Sequence, residues 1–220
     1  MLKHTPTILL LALAILHSPF FIPHSACAAG KLPDTGQTKC YQAVSPYAEI
    51  PCAGTGQDGA YSINPMSFTD NGNGTITDNN TGLVWQKCSM GQNSTDCSGT
   101  AATYNWYQAT GTYDASYNAS SVNVCGSLSL AGTGWRLPSK KELVGIVDYS
   151  IPYPGPTIPQ AIFPGTVSSS YWSSTTNAYN TSYAWHVYFL AGDVVFTIAD
   201  EDFDILKSNT YYVRCVRGGQ

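Results

Sequence analysis

Charge is scarce in this 220-residue chain: ten Lys and Arg and fourteen Asp and Glu make up 11% of it and leave a formal net charge of −4. Typical domains carry roughly a quarter charged residues. A weakly acidic, charge-poor surface does not gather polyanions, so neither nucleic acid nor a sulfated polymer is expected as a partner. Histidine is scarcer still. Three of the four, His4, His17 and His24, stand near the start, which leaves His186 as the one imidazole beyond them. It lies in "YAWHVYF", where alternation predicts a strand with His186 on its solvated face. There is no Gly-x-Ser-x-Gly elbow, no phosphate-cradling glycine loop and no Cys-x-x-Cys pair, so the usual hydrolase, nucleotide and zinc signatures are missing. Beyond the first 30 residues no apolar run is long enough to span a bilayer.

Those first residues, "MLKHTPTILLLALAILHSPFFIPHSACAAG", have the layout of a secretory signal. A short basic start leads into an apolar core at residues 8–16 and ends in small residues. The expected division is residues 1–28 as signal peptide, 29–60 as an N-terminal leader and 61–220 as the main domain. The alternative export route keeps Cys27 as a lipidated first residue, but His24 stands where such signals place an aliphatic one. The expected location is therefore periplasmic, outer-surface or extracellular.

Of seven cysteines, removal of Cys27 leaves six, an even set bound for an oxidising compartment. Proximity pairs Cys40 with Cys52 and Cys88 with Cys97, leaving Cys125 and Cys215 to close a long loop. A catalytic thiolate would need one of these sulfurs to be free.

What the chain does have is aromatic and turn-forming residues: fifteen Tyr, five Trp and twenty Gly. "SFTDNGNGTITDNNTGLVWQKC" reads as a hairpin of two short strands about Asn71-Gly-Asn-Gly74, followed by a third strand over residues 81–86. Asp70, Asn71, Asn73 and Asp78 imitate a calcium loop, yet Gly72 occupies a ligand position and no Glu closes it. A short helix is expected over residues 101–109. Strands are expected over residues 171–174, 184–190, 194–198 and 211–217, with a proline-rich surface loop ahead of them.

"GWRLPSKKEL" is the densest motif. Ser139 and Glu142 have the Ser-x-x-Glu spacing of a capping box, in which the hydroxyl accepts from the Glu142 amide and the carboxylate reaches back to the Ser139 amide. Leu143, Ile146 and Val147 then fall on one helical face. Arg136, set between Trp135 and Leu137, is expected to be partly buried and paired with a carboxylate or carbonyl. Asp200, Glu201, Asp202 and Asp204 crowd four carboxylates into five residues and are the weak calcium candidates; otherwise no cofactor or metal is expected.

"FTDNGNGTITDNNTGLVWQKC", "GWRLPSKKEL", "YWSST", "AWHVYFLAGDV" and "YYVRCVRG", in that order, resemble the Lcl C-terminal domain family, a domain of unknown function named after a bacterial collagen-like adhesin. The "LPDTGQTKCY…GTGQDGAY" leader resembles one that often precedes it. More distantly, "RLPSKKEL" with a terminal "VRCVR" is similar to the formylglycine-generating, sulfatase-modifying proteins and their C-type-lectin-like fold. The resemblance implies an α+β class, with small twisted antiparallel sheets, about two helices and disulfide staples. The catalytic cysteines of the formylglycine proteins have no evident counterparts here, so fold likeness does not carry that activity across.

The expectation that follows is an exported, non-enzymatic module that recognises a glycan or a cell-surface protein, with Trp172, Tyr171, Trp106, Tyr179 and Arg136 as contacts. The alternatives are an enzyme related to the formylglycine generators and a structural part of an envelope appendage.

Overall fold

The computed structural model describes residues 31–117, 122–195 and 206–218. The acidic cluster 200–204 and residues 1–30, where a signal peptide is expected, lie outside the described residues. Among the described residues the fold is α+β and disulfide-stapled, built from three small sheets, two short α-helices and one 3-10 turn.

The leader forms a two-stranded ribbon, β1 (Cys40–Tyr41) and β2 (Glu49–Ile50), closed by the Cys40–Cys52 bridge. It is tied to the rest of the chain by both backbone and side-chain hydrogen bonds. The Tyr149 amide donates to Thr35 O, and the Asp34 carboxylate accepts from the amides of Ile63 and Asn64.

A four-stranded sheet follows, built from β3 (Phe68–Asp70), β4 (Thr75–Asp78), β5 (Val84–Gln86) and the terminal β11 (Val216–Arg217), in the order β11-β5-β4-β3. The β3–β4 hairpin turns through Gly72 and Gly74, both at positive φ, which only glycine adopts cheaply. At Gly74 a Cβ would also collide with Ser94 O, so the turn packs against the loop stapled by Cys88–Cys97. The expected hairpin is present, and its Asp70 is engaged by Lys87 Nζ at 2.7 Å.

The second sheet has five strands in the order β6-β10-β7-β8-β9: β6 (Thr103–Asn105), β7 (Ser170–Thr176), β8 (Ala184–Tyr188), β9 (Asp193–Val195) and β10 (Thr210–Tyr212). All its pairings are antiparallel except β10 with β7, which is parallel.

Two expectations need correction. The helix expected over 101–109 begins as strand β6, and only Trp106–Thr110 is helical (α1). Asn105 is its N-cap, accepting from the Gln108 amide while Gln108 reaches back to the Asn105 amide, so the helix cannot start earlier. The strand expected over 211–217 is two strands in two different sheets, β10 and β11, with Val213, Arg214 and Cys215 crossing between them.

The core is divided by β7. Side chains alternate across a strand, and here both faces are covered. Tyr171 packs with Leu143, Ile146, Val187 and Phe189 on one side, and Trp172 packs with Trp106, Trp135, Leu137 and Val213 on the other. Helix α2 (Lys140–Val144) supplies Leu143 to the first cluster, as its periodicity predicts.

Candidate functional site

The "GWRLPSKKEL" segment joins the two sheets. Arg136 pairs with Val216 of β11 through two backbone hydrogen bonds of 2.9 Å, and two residues on Pro138 O accepts from the Ser174 amide of β7 at 2.7 Å. Trp135 is buried and gives its indole N–H to Leu130 O at 3.0 Å, while the Arg217 guanidinium lies over its ring.

Helix α2 starts by the expected capping box. The Glu142 amide donates to the Ser139 hydroxyl at 3.3 Å, and the Glu142 carboxylate accepts from the Ser139 amide at 2.7 Å. The same carboxylate also holds Arg136: Nη1 donates to Oε2 at 2.8 Å and Nη2 to Oε1 at 2.6 Å, a two-pronged pair. Arg136 gives a further bond to Gly218 O at 3.0 Å. Burial pushes the Glu142 carboxyl up, but the Arg136 guanidinium and the Ser139 donors outweigh it and hold the group below its ordinary value. The hydrogen bonds that Arg136 donates to Glu142, opposed by burial, raise the Arg136 pKa.

Beside this pair is a cleft of about 430 Å³. Trp135 and Leu137 form its apolar lining, and Arg136, Ser139, Glu142, Thr110, Asn123 and Ser174 its polar lining. Three parts of the chain far apart in sequence meet here: the end of α1, the approach to Cys125, and β7. The Asn123 side chain closes against Gly111, where a Cβ would lie 2.7 Å from it. On the other side of the α2 start, Lys140 Nζ sits 3.7 Å above the Trp185 ring.

Of the expected contacts, Arg136 lies in the cleft. Tyr179 stands 83% exposed in the turn between β7 and β8, and does not line the cleft. Trp172, Tyr171 and Trp106 are corrected from loop contacts to core residues. The first two are fully buried on opposite faces of β7, and Trp106 is 7% exposed at the start of α1 with its indole N–H on Ser173 O. Trp172 likewise donates to Tyr104 O at 2.9 Å. Aromatic content alone marked them, and it does not distinguish core from contact. Thr110, Asn123 and Ser174 carried no sequence signal, since hydroxyl and amide residues abound throughout the chain. Among the described residues no group of three or more His, Cys, Asp or Glu is placed to hold a metal ion.

His186 also departs from expectation. Rather than facing solvent, it is 4% exposed between Trp172 and Tyr211, and neither ring nitrogen has a hydrogen-bond partner. Burial pushes its pKa down to about 4. Between that value and the ordinary one near 6.5, the unfolded chain binds a proton that the folded chain does not. Stability is therefore complete above about pH 6.5 and declines as pH falls toward 4, by about 2–3 kcal/mol from this group. Urea unfolding at pH 7 and 4.5 should show a larger loss for the parent than for His186→Leu; equal losses would refute the assignment.

No curated protein and no solved structure matches the chain significantly. The family model of the Lcl C-terminal domain matches residues 74–217, a span that runs from the last residue of the β3–β4 turn through the capped α2 and the buried β7 to the closing β11. That match covers well over half of the sequence, and the chain belongs to the Lcl C-terminal domain family.

Proposed function

We propose that this chain is an exported recognition module, non-enzymatic, that binds a glycan or a cell-surface protein in the cleft built on "GWRLPSKKEL". The observation that carries the reading is the cleft itself: about 430 Å³, a size ordinary for ligand sites, with six polar side chains converging from separate elements. Three disulfides support export to an oxidising compartment. Among the described residues no helix is long and apolar enough to cross a membrane. The pairing of all six cysteines supports a binding role over formylglycine-type chemistry, which needs a thiolate.

Ser174 is exposed on the cleft wall, and its backbone already has its partner. Ser174→Trp therefore fills the cleft without disturbing the core. The parent is expected to bind in a glycan array or a whole-cell adhesion assay, and the variant to lose about tenfold or more in affinity with unchanged thermal stability. Folded parent that binds nothing in either assay, or a variant that binds equally well, defeats the proposal.

A structural role in an envelope appendage is the second reading. It is favoured by the exposed apolar residues Leu32, Val44, Tyr47, Tyr61 and Ile63 of the leader and its junction. Stable self-association by sizing would support it over a monomeric module.

A further inference from the structure

We infer that the cleft takes an uncharged, hydroxyl-rich saccharide unit; this rests on the cleft reading above and specifies its ligand. Charge and the inventory of donors both point to this ligand class. Arg136 is the only cation lining the cleft, and its terminal nitrogens are committed: Nη1 to Glu142 and, at 3.5 Å, Leu137 O, and Nη2 to Glu142 and Gly218 O. A sulfate or carboxylate would have to displace Glu142 from this two-pronged pair and then lie against the displaced carboxylate. The Glu142 oxygens are in turn occupied by Arg136 and the Ser139 amide, so a cationic group meets a charge already neutralised.

The pair is thus a closed, neutral wall. The remaining polar lining is Thr110, Ser139, Ser174 and Asn123. The Thr110 hydroxyl already donates to Trp106 O, the Ser139 hydroxyl accepts from the Glu142 amide and the Asn123 side-chain oxygen accepts from the Gly126 amide; the Ser174 hydroxyl, the Ser139 hydroxyl proton and the Asn123 NH2 are the groups of a kind that pairs with a sugar hydroxyl. The charge scarcity of the whole chain, 11% of residues, means that no long-range field overrides this local neutrality.

The test is titration of the intact, oxidised protein with three probe sets: neutral oligosaccharides, sulfated or uronate-bearing oligosaccharides, and uncharged peptides. Parent, Ser174→Trp and Ser174→Lys are compared, each at low and at physiological salt. The expected result is binding of a neutral oligosaccharide with little salt dependence, weakened about tenfold or more in both variants. Binding confined to charged glycans or to peptides, and lost in both variants, overturns the saccharide assignment while the cleft remains the site. Binding that neither variant weakens overturns the cleft reading and this inference together, as does the absence of binding in all three sets. The lysine variant keeps the comparison decisive if tryptophan perturbs folding.

Discussion

Replacing Arg214 with methionine is expected to lower the stability of the protein by about 2–4 kcal/mol, the cost of leaving buried acceptors without their donor. Arg214 is completely buried in the crossing between β10 and β11. Its Nη1 donates to the carbonyls of Gln86 and Lys87, and its Nη2 to the Thr166 hydroxyl at 2.7 Å and the Ser89 hydroxyl at 3.4 Å. The guanidinium also lies over the Phe163 ring.

No carboxylate is among these partners. Main-chain carbonyl dipoles and hydroxyls carry the charge instead, and burial pulls the guanidinium below its ordinary pKa. Two effects oppose each other on substitution. Methionine removes the desolvation penalty of a buried cation, but it strands the buried Gln86 carbonyl and takes a donor from the half-buried Lys87 carbonyl. Hydrogen bonds to charged groups are worth about 1.5–3 kcal/mol each, so the stranded acceptors decide the sign.

Arg214→Lys keeps the charge but not the planar fork that reaches both carbonyls and both hydroxyls, so it should recover only part of the loss. With typical total stabilities of about 5–15 kcal/mol, the methionine protein is expected near the edge of folding. Urea unfolding midpoints measure the difference. A methionine variant as stable as the parent would show that the network is not needed.

The second large effect is expected from the Cys125–Cys215 bridge. Its cysteines are separated by 90 residues, against 12 and 9 for the other two bridges. In the chain-entropy account, closing a loop of that length removes about 4–5 kcal/mol of unfolded-state freedom, while the shorter loops are worth about 2.5–3 kcal/mol. Both sulfurs are buried in the cluster around Trp172. The bridge also fixes where the chain passes from one sheet to the other, and it anchors the approach to the motif on one wall of the cleft. Cys125→Ala with Cys215→Ala should therefore cost more stability than Cys40→Ala with Cys52→Ala, and it should weaken ligand binding where the leader pair leaves it intact. Intact mass of the parent, reduced and unreduced, fixes the number of bridges first. Equal losses for the two double variants would mean that the long loop is already restricted in the unfolded chain.

Much of this protein is local and was therefore legible. Ser139 and Glu142 form their cap within four residues. The β3–β4 hairpin turns on Asn-Gly pairs, and the six cysteines among the described residues pair by proximity with one long closure left over. The ordered motifs carried the family, because motif order survives without knowledge of contacts.

Other features are set by residues far away. "YWSST" shows which side chains share a face of β7, but alternation is silent on whether the second face is covered. Only the packing of Trp106, Trp135 and Val213 against Trp172 made it core. His186 became buried for the same reason, because Tyr211 of a strand distant in sequence lies against it. "YYVRCVRG" reads as one strand since each residue suits one. The chain changes sheets within it because Tyr212 pairs with Tyr171 while Val216 pairs with Trp85.

The "GWRLPSKKEL" motif divides along the same line. Its sequence determined a helix start, since capping chemistry is satisfied between neighbours. Tertiary structure alone decided that Glu142 also neutralises Arg136, and that Thr110, Asn123 and Ser174 arrive to make a cleft, because that convergence depends on long-range pairing of the two sheets.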